Sequence, residues 1–122
     1  DQSYDLIIAD PPYNVGKDYG NKSDSVSSGE LREFSLSWLS EANRLLKSTG
    51  TIYVFMGVKN ISHIYSILEN DLKLEFNSWI TWHYTQGLGK RRGVSNRHDD
   101  ILMFNKSKEF LFDLDSIRIP QK

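Results

Sequence analysis

The sequence predicts an α/β domain built on a mostly parallel sheet, with an antiparallel strand near the C-terminal end. Three observations predict it. Short contiguous apolar runs, "LIIA" and "TIYVFM", have the character of strands covered on both faces rather than half-exposed alternating ones. Between them lies a segment with apolar residues at helical spacing. The order strand, helix, strand, helix, strand then calls for crossovers that join parallel neighbours.

Each element has its own signal. Residues 5–9 form the first strand, with Leu6, Ile7 and Ile8 contiguous and apolar. Residues 14–29 show no period and read as a loop with glycines at 16, 20 and 29. A loop of that length in a small domain is usually functional or mobile, and Lys17, Asp18 and Tyr19 in it are candidates to close over a ligand. Ser27 and Glu30 match a capping box. The helix that follows sets Leu31, Phe34, Trp38, Ala42, Leu45 and Leu46 on one stripe, with Gly50 as its expected stop. Residues 51–56 form the second buried strand. Asn60 is a candidate cap for a short helix that presents Ile61, Ile64, Tyr65 and Leu68 on one face. Residues 74–84 read as a longer, aromatic-rich strand, 100–105 (DILMFN) as another, and 109–113 (EFLFD) as one more. Trp38, Trp79 and Trp82 read as core.

The bulk numbers bound the function. The 122 residues suit one domain. The formal net charge of -1 leaves no chain-wide footprint for nucleic acid, so any basic surface must be local. Lys90, Arg91, Arg92 and Arg97 supply one: four cations in a short loop, candidates for phosphate contact. The absence of cysteine excludes disulfides and thiolate nucleophiles and fits a reducing, cytoplasmic setting. No apolar run approaches the ~18–20 residues of a membrane span. His98 beside Asp99 and Asp100 reads as structural rather than as a metal site, and no metal is expected.

The stretch that carries chemistry is "DPPY", Asp10-Pro11-Pro12-Tyr13, directly after the first strand. Ligands of open α/β sheets bind at the carboxyl ends of the strands, and this is such an end. An ionised aspartate only accepts hydrogen bonds, and Pro11 offers a carbonyl but no N–H. Two acceptors side by side suit a group with two N–H bonds, such as the exocyclic amine of a nucleobase. The prolines fix φ near about -65° and so hold the acceptors ready. Tyr13 offers a flat face for a planar ring. Both acceptors pulling on an aromatic amine favour pyramidal nitrogen and free its lone pair for an electrophile.

DPPY followed by Asn14 resembles motif IV of the S-adenosylmethionine-dependent amino-methyltransferases that act on DNA. "WLSEANRLLKSTGTIYVFMG" and "WHYTQGLGKRRGVSNRHDDILMFNKS" resemble the later segments of the β-class members, in the same order. The resemblance implies a Rossmann-like methyltransferase sheet, here partial. It implies S-adenosyl-L-methionine as cofactor and double-stranded DNA as partner, with the target base flipped out of the duplex. It makes Asp10, Pro11, Pro12 and Tyr13 catalytic, with Asp10 and Pro11 also next to the cofactor. Asp at the first motif position is commoner in adenine-modifying members, which favours N6 of adenine. The alternatives are cytosine N4, an RNA or protein amide as substrate, or a catalytically silent DNA-binding subunit. A homodimer and a cognate restriction endonuclease are partners that the resemblance admits.

The chain departs from the family in one respect. The F-x-G-x-G donor turn is absent, and the Gly87-Leu88-Gly89 run is not a substitute because no buried strand ends there. The target-recognition region is absent as well. The expectation is that residues 1–122 are the catalytic part of a longer methyltransferase domain.

Overall fold

The computed structural model describes residues 1–12 and 28–122. Its elements are β1 (Tyr4–Ala9), α1 (Ser28–Leu45), β2 (Leu46–Met56), α2 (Ile61–Ser66) with a π-helical turn (Ile67–Asp71), β3 (Glu75–His83) and β4 (His98–Asn105). They build a mixed sheet in the order β1-β2-β4-β3. β1 and β2 pair in parallel, with Ile7 beside Ile52 and Ala9 beside Val54. β4 runs antiparallel to both β2 and β3. Three strands therefore point one way, and the last strand inserts, reversed, between the second and third.

The core lies on one face of the sheet. Ile52, Val54 and Met56 of β2 and Leu102 and Phe104 of β4 meet Leu39, Ala42 and Leu46, and Ile61, Ile64, Ile67 and Leu68 of the second helical segment. Each of these side chains other than Ala42 contributes about 1.5–3 kcal/mol when fully buried. Phe104 packs edge-on against Tyr65 and Phe76, at ring separations of 5.4 and 5.6 Å. The buried face of α1 is rotated from the predicted stripe. Leu31, Ser35, Leu39 and Ala42 turn inward, whereas Phe34 is exposed.

Gly50 does not stop α1. The helix ends at Leu45 because remote groups take its last carbonyls: Gln2 N–H donates to Arg44 O, Ser3 N–H to Leu45 O, and the Lys106 ammonium to Asn43 O and Oδ1. Burial draws the Lys106 pKa below its ordinary value. Gly50 answers a different need. A Cβ there would stand 2.6 Å from Leu46 Cδ1 and 3.0 Å from Lys47 O, and Leu46 is fully buried.

Four more expectations change. β1 is not covered on both faces: Leu6 and Ile8 are exposed, because β1 is an edge strand of the described sheet. Asn60 stands at the start of α2, but its side chain makes no capping bond. Residues 109–113 are not a strand; Leu111 N–H makes a single backbone bond to Thr49 O. Trp79 and Trp82 are not core, being 45% and 59% exposed. β3 is an edge strand, and the register puts Trp82, like Ile80, on the face away from the helices. Ser27 of the capping box lies outside the described residues.

A buried polar ladder crosses three strands at the end of the sheet opposite the DPP stretch. Asn77 Nδ2 donates to Asn105 Oδ1 at 2.8 Å, and Asn105 Nδ2 donates to Thr51 Oγ1 at 2.8 Å. Asn105 is 2% exposed, so these bonds replace the water it has lost. They lock β4 in register between its neighbours.

Candidate functional site

The parallel direction of β1, β2 and β3 gathers their carboxyl ends on one rim, where ligands of such sheets bind. Asp10 and Pro11 follow β1 there, Gly57 follows β2 and Tyr84 follows β3. The amino end of β4 comes to the same rim, because Asp100 pairs with Met56, the last residue of β2. Asp10 and Pro12 are exposed and Pro11 is half-buried. The Asp10 carboxylate thus stands in the open at the carboxyl end of β1, itself an edge strand with Leu6 and Ile8 exposed. Tyr13, Asn14, Lys17, Asp18 and Tyr19 lie outside the described residues.

The basic loop hangs from the β3–β4 hairpin on this rim. Its base is pinned: Tyr84 N–H donates to Arg97 O at 3.0 Å, and the Arg97 guanidinium donates to Thr85 O at 2.5 Å. Within the loop Lys90 N–H donates to Ser95 Oγ at 2.8 Å. Gly87 and Gly93 turn the chain with φ of 121° and 116°, angles that other residues rarely adopt. Lys90, Arg91 and Arg92 are exposed, while Arg97 is half-buried at the base. The four predicted cations therefore divide into three that face outward and one that holds the loop. With neighbouring strands about 4.8 Å apart, this loop stands roughly 10–15 Å across the sheet from Asp10.

Sequence reasoning read His98 and Asp100 as structural but did not join them to Trp79 as one cluster on the rim. Trp79 Nε1–H donates to Asp100 Oδ1 at 2.9 Å, and His98 Nε2 stands 3.1 Å from Asp100 Oδ2. Asp100 is 6% exposed. The spacing of His98 and Asp100, two apart on a strand, was the available signal for a shared face. Among the described residues no group of three or more His, Asp or Glu side chains could hold a metal ion, and no helix is long and apolar enough to cross a membrane.

The class follows from the fold. The structure aligns with PvuII DNA methyltransferase (cytosine-N4-specific) at a TM-score of 0.67 and 18% identity, over 89% of this chain and 44% of that one. It aligns with the M1.HpyAVI–SAM complex at 0.60 and 22%, over 87% and 46%. The sheet with its inserted reversed strand is thus a methyltransferase-type α/β fold.

The family follows from the sequence. The family model described as DNA methylase, of the N6/N4 type, matches residues 4–122, and the chain belongs to that family. It is 63% identical to the type II methyltransferase M.HpaI of Haemophilus parainfluenzae, over the whole of this chain and 39% of that protein. It is 33% identical to M1.MboII of Moraxella bovis, over 98% and 45%. It is 30% identical to the DNA adenine methyltransferase YhdJ of Escherichia coli K12, over 99% and 41%. The chain therefore spans under half the length of these relatives.

Proposed function

We propose that this chain is the amine-binding part of an S-adenosylmethionine-dependent DNA methyltransferase that modifies N6 of adenine in a flipped-out base. The observation that carries the reading is the exposed Asp10, followed by two prolines, at the carboxyl end of a parallel strand in a member of the DNA methylase family. The relative named as an adenine methyltransferase supports adenine, as does aspartate at the first motif position.

The residues have separable tasks. The Asp10 carboxylate and the Pro11 carbonyl accept the two N–H bonds of the amine. Held this way, the nitrogen turns pyramidal and its lone pair points out of the ring plane. Pro11 and Pro12 keep the acceptors from relaxing away. Tyr13 takes the face of the extrahelical ring. The exposed Lys90, Arg91 and Arg92 hold the backbone of the duplex on the same rim.

S-adenosylmethionine, when bound, supplies a methyl group on a sulfonium. The described residues fit it in part. An exposed carboxylate at a strand end suits the donor's amino group, but the F-x-G-x-G motif that would cradle its nucleoside does not occur in this sequence. Asp10 is the residue that would hold it here.

The test is Asp10→Ala in the complete gene product, with tritiated methyl transfer to duplex DNA and mass analysis of the nucleosides. The wild type should yield N6-methyladenine and the variant none, with thermal unfolding unchanged because Asp10 is exposed. Turnover retained by the variant would remove Asp10 from the chemistry. N4-methylcytosine from the wild type would overturn the adenine assignment.

A further inference from the structure

The cluster of His98, Asp100 and Trp79 has no task in the amine pocket, yet it stands on the same rim. The register places His98 two residues beyond the Met56–Asp100 pair, past the end of β2. Its side chain remains 28% exposed, whereas that of Asp100 is 8% exposed. By strand spacing, the imidazole lies roughly 10 Å across the rim from the Asp10–Pro11 stretch. On the proposed reading, a nucleotide flanking the target base would come within that reach of the amine pocket.

The hydrogen bonds decide what the ring offers. A carboxylate accepts and does not donate. Asp100 Oδ1 is occupied by the indole N–H, a donor only, and the indole is itself set by stacking on Tyr65 at 6.2 Å. Oδ2 faces His98 Nε2, so Nε2 carries the proton of that contact. In the neutral ring, Nδ1 is then a lone-pair acceptor. No other bond to the imidazole is present among the described residues. An acceptor does not suit a phosphate oxygen, which also accepts. It suits an N–H donor on a base edge, such as the amine of adenine or cytosine.

We propose that His98, held in its Nε2–H tautomer by Asp100, is a specificity-determining residue whose Nδ1 accepts an N–H bond from a base beside the target. Asp100 and Trp79 are positioning residues. The inference rests on the reading of the chain as part of a DNA amino-methyltransferase.

The experiment measures kcat/KM of the complete gene product on duplexes in which each base pair flanking the target is varied in turn. Three variants separate the roles. His98→Gln keeps an amide near Asp100 but removes the acceptor at Nδ1. Asp100→Asn keeps the shape and the bond from Trp79, but its amide donates to Nε2 and moves the ring proton to Nδ1, turning the acceptor into a donor. His98→Asn returns an oxygen near the place of Nδ1. The first two should lose about 10- to 100-fold at the preferred sequence, concentrated at one flanking base pair whose ranking changes. His98→Asn should recover part of that discrimination, and the salt dependence of binding should stay as in the wild type. An equal loss on all sequences would make the cluster merely structural and overturn the proposal. A reduced salt slope with an unchanged base ranking would make His98 a phosphate contact and overturn it too. A wild type that methylates no DNA would overturn this inference together with the proposed function, and active variants that keep the base ranking would overturn this inference alone.

Discussion

The division of the basic loop makes a quantitative prediction. Lys90, Arg91 and Arg92 are exposed, whereas Arg97 is half-buried and donates to Thr85 O. If the three outer cations each neutralise one phosphate of B-form DNA, replacing them with alanine lowers the slope of log K against log salt by about 0.9 for each, or about 2.7 in all. Over a fourfold rise in salt, the wild type should lose roughly 40-fold more affinity than the triple variant. Arg97→Ala should leave most of that slope in place, because its guanidinium is already engaged; its loss loosens the loop base instead. The assay is fluorescence anisotropy of a labelled duplex titrated with the complete gene product across a salt series. Folding should be little affected, since exposed substitutions usually stay within ~0.5 kcal/mol. A triple variant with an unaltered slope would refute phosphate contact by this loop. An Arg97→Ala slope change as large as that of the triple variant would refute the division.

Two further predictions concern the frame that carries the rim. Gly50→Ala should destabilise the protein by about 1–3 kcal/mol, because the added methyl meets the immobile Leu46 side chain, and urea unfolding would show it as a lower midpoint at constant m. Asn105→Ala removes two buried hydrogen bonds and leaves a small cavity, which should cost about 2–4 kcal/mol; a midpoint unchanged in urea would show that the ladder does not hold the register of β4.

Much of the fold was legible because it rests on local rules. Contiguous apolar runs located β1 and β2, helical spacing located α1 and α2, and the strand-to-proline transition put Asp10 at a carboxyl end. The DNA methylase family was legible as a resemblance, carried by DPPY after the first strand and by the two later segments in the same order. The misreadings share one cause. Gly50 looked like a helix stop because glycine often is one, but the C-terminal end of α1 is closed by Gln2, Ser3 and Lys106, groups that no local window contains. Trp79 and Trp82 looked like core because large aromatics usually are, but burial depends on which strand becomes the edge.

By itself, then, the order of residues determined the kind and sequence of most elements and the position of Asp10 at the end of β1, because propensity, periodicity and hydrogen-bonding capacity belong to each residue or its near neighbours. Only the folded chain decided that β4 slips between β2 and β3, that Arg97 serves the loop while three other cations face outward, and that an indole and an imidazole share the Asp100 carboxylate. Strand partners and shared acceptors are choices among distant segments, made by the packing of the whole sheet, and no single stretch encodes them.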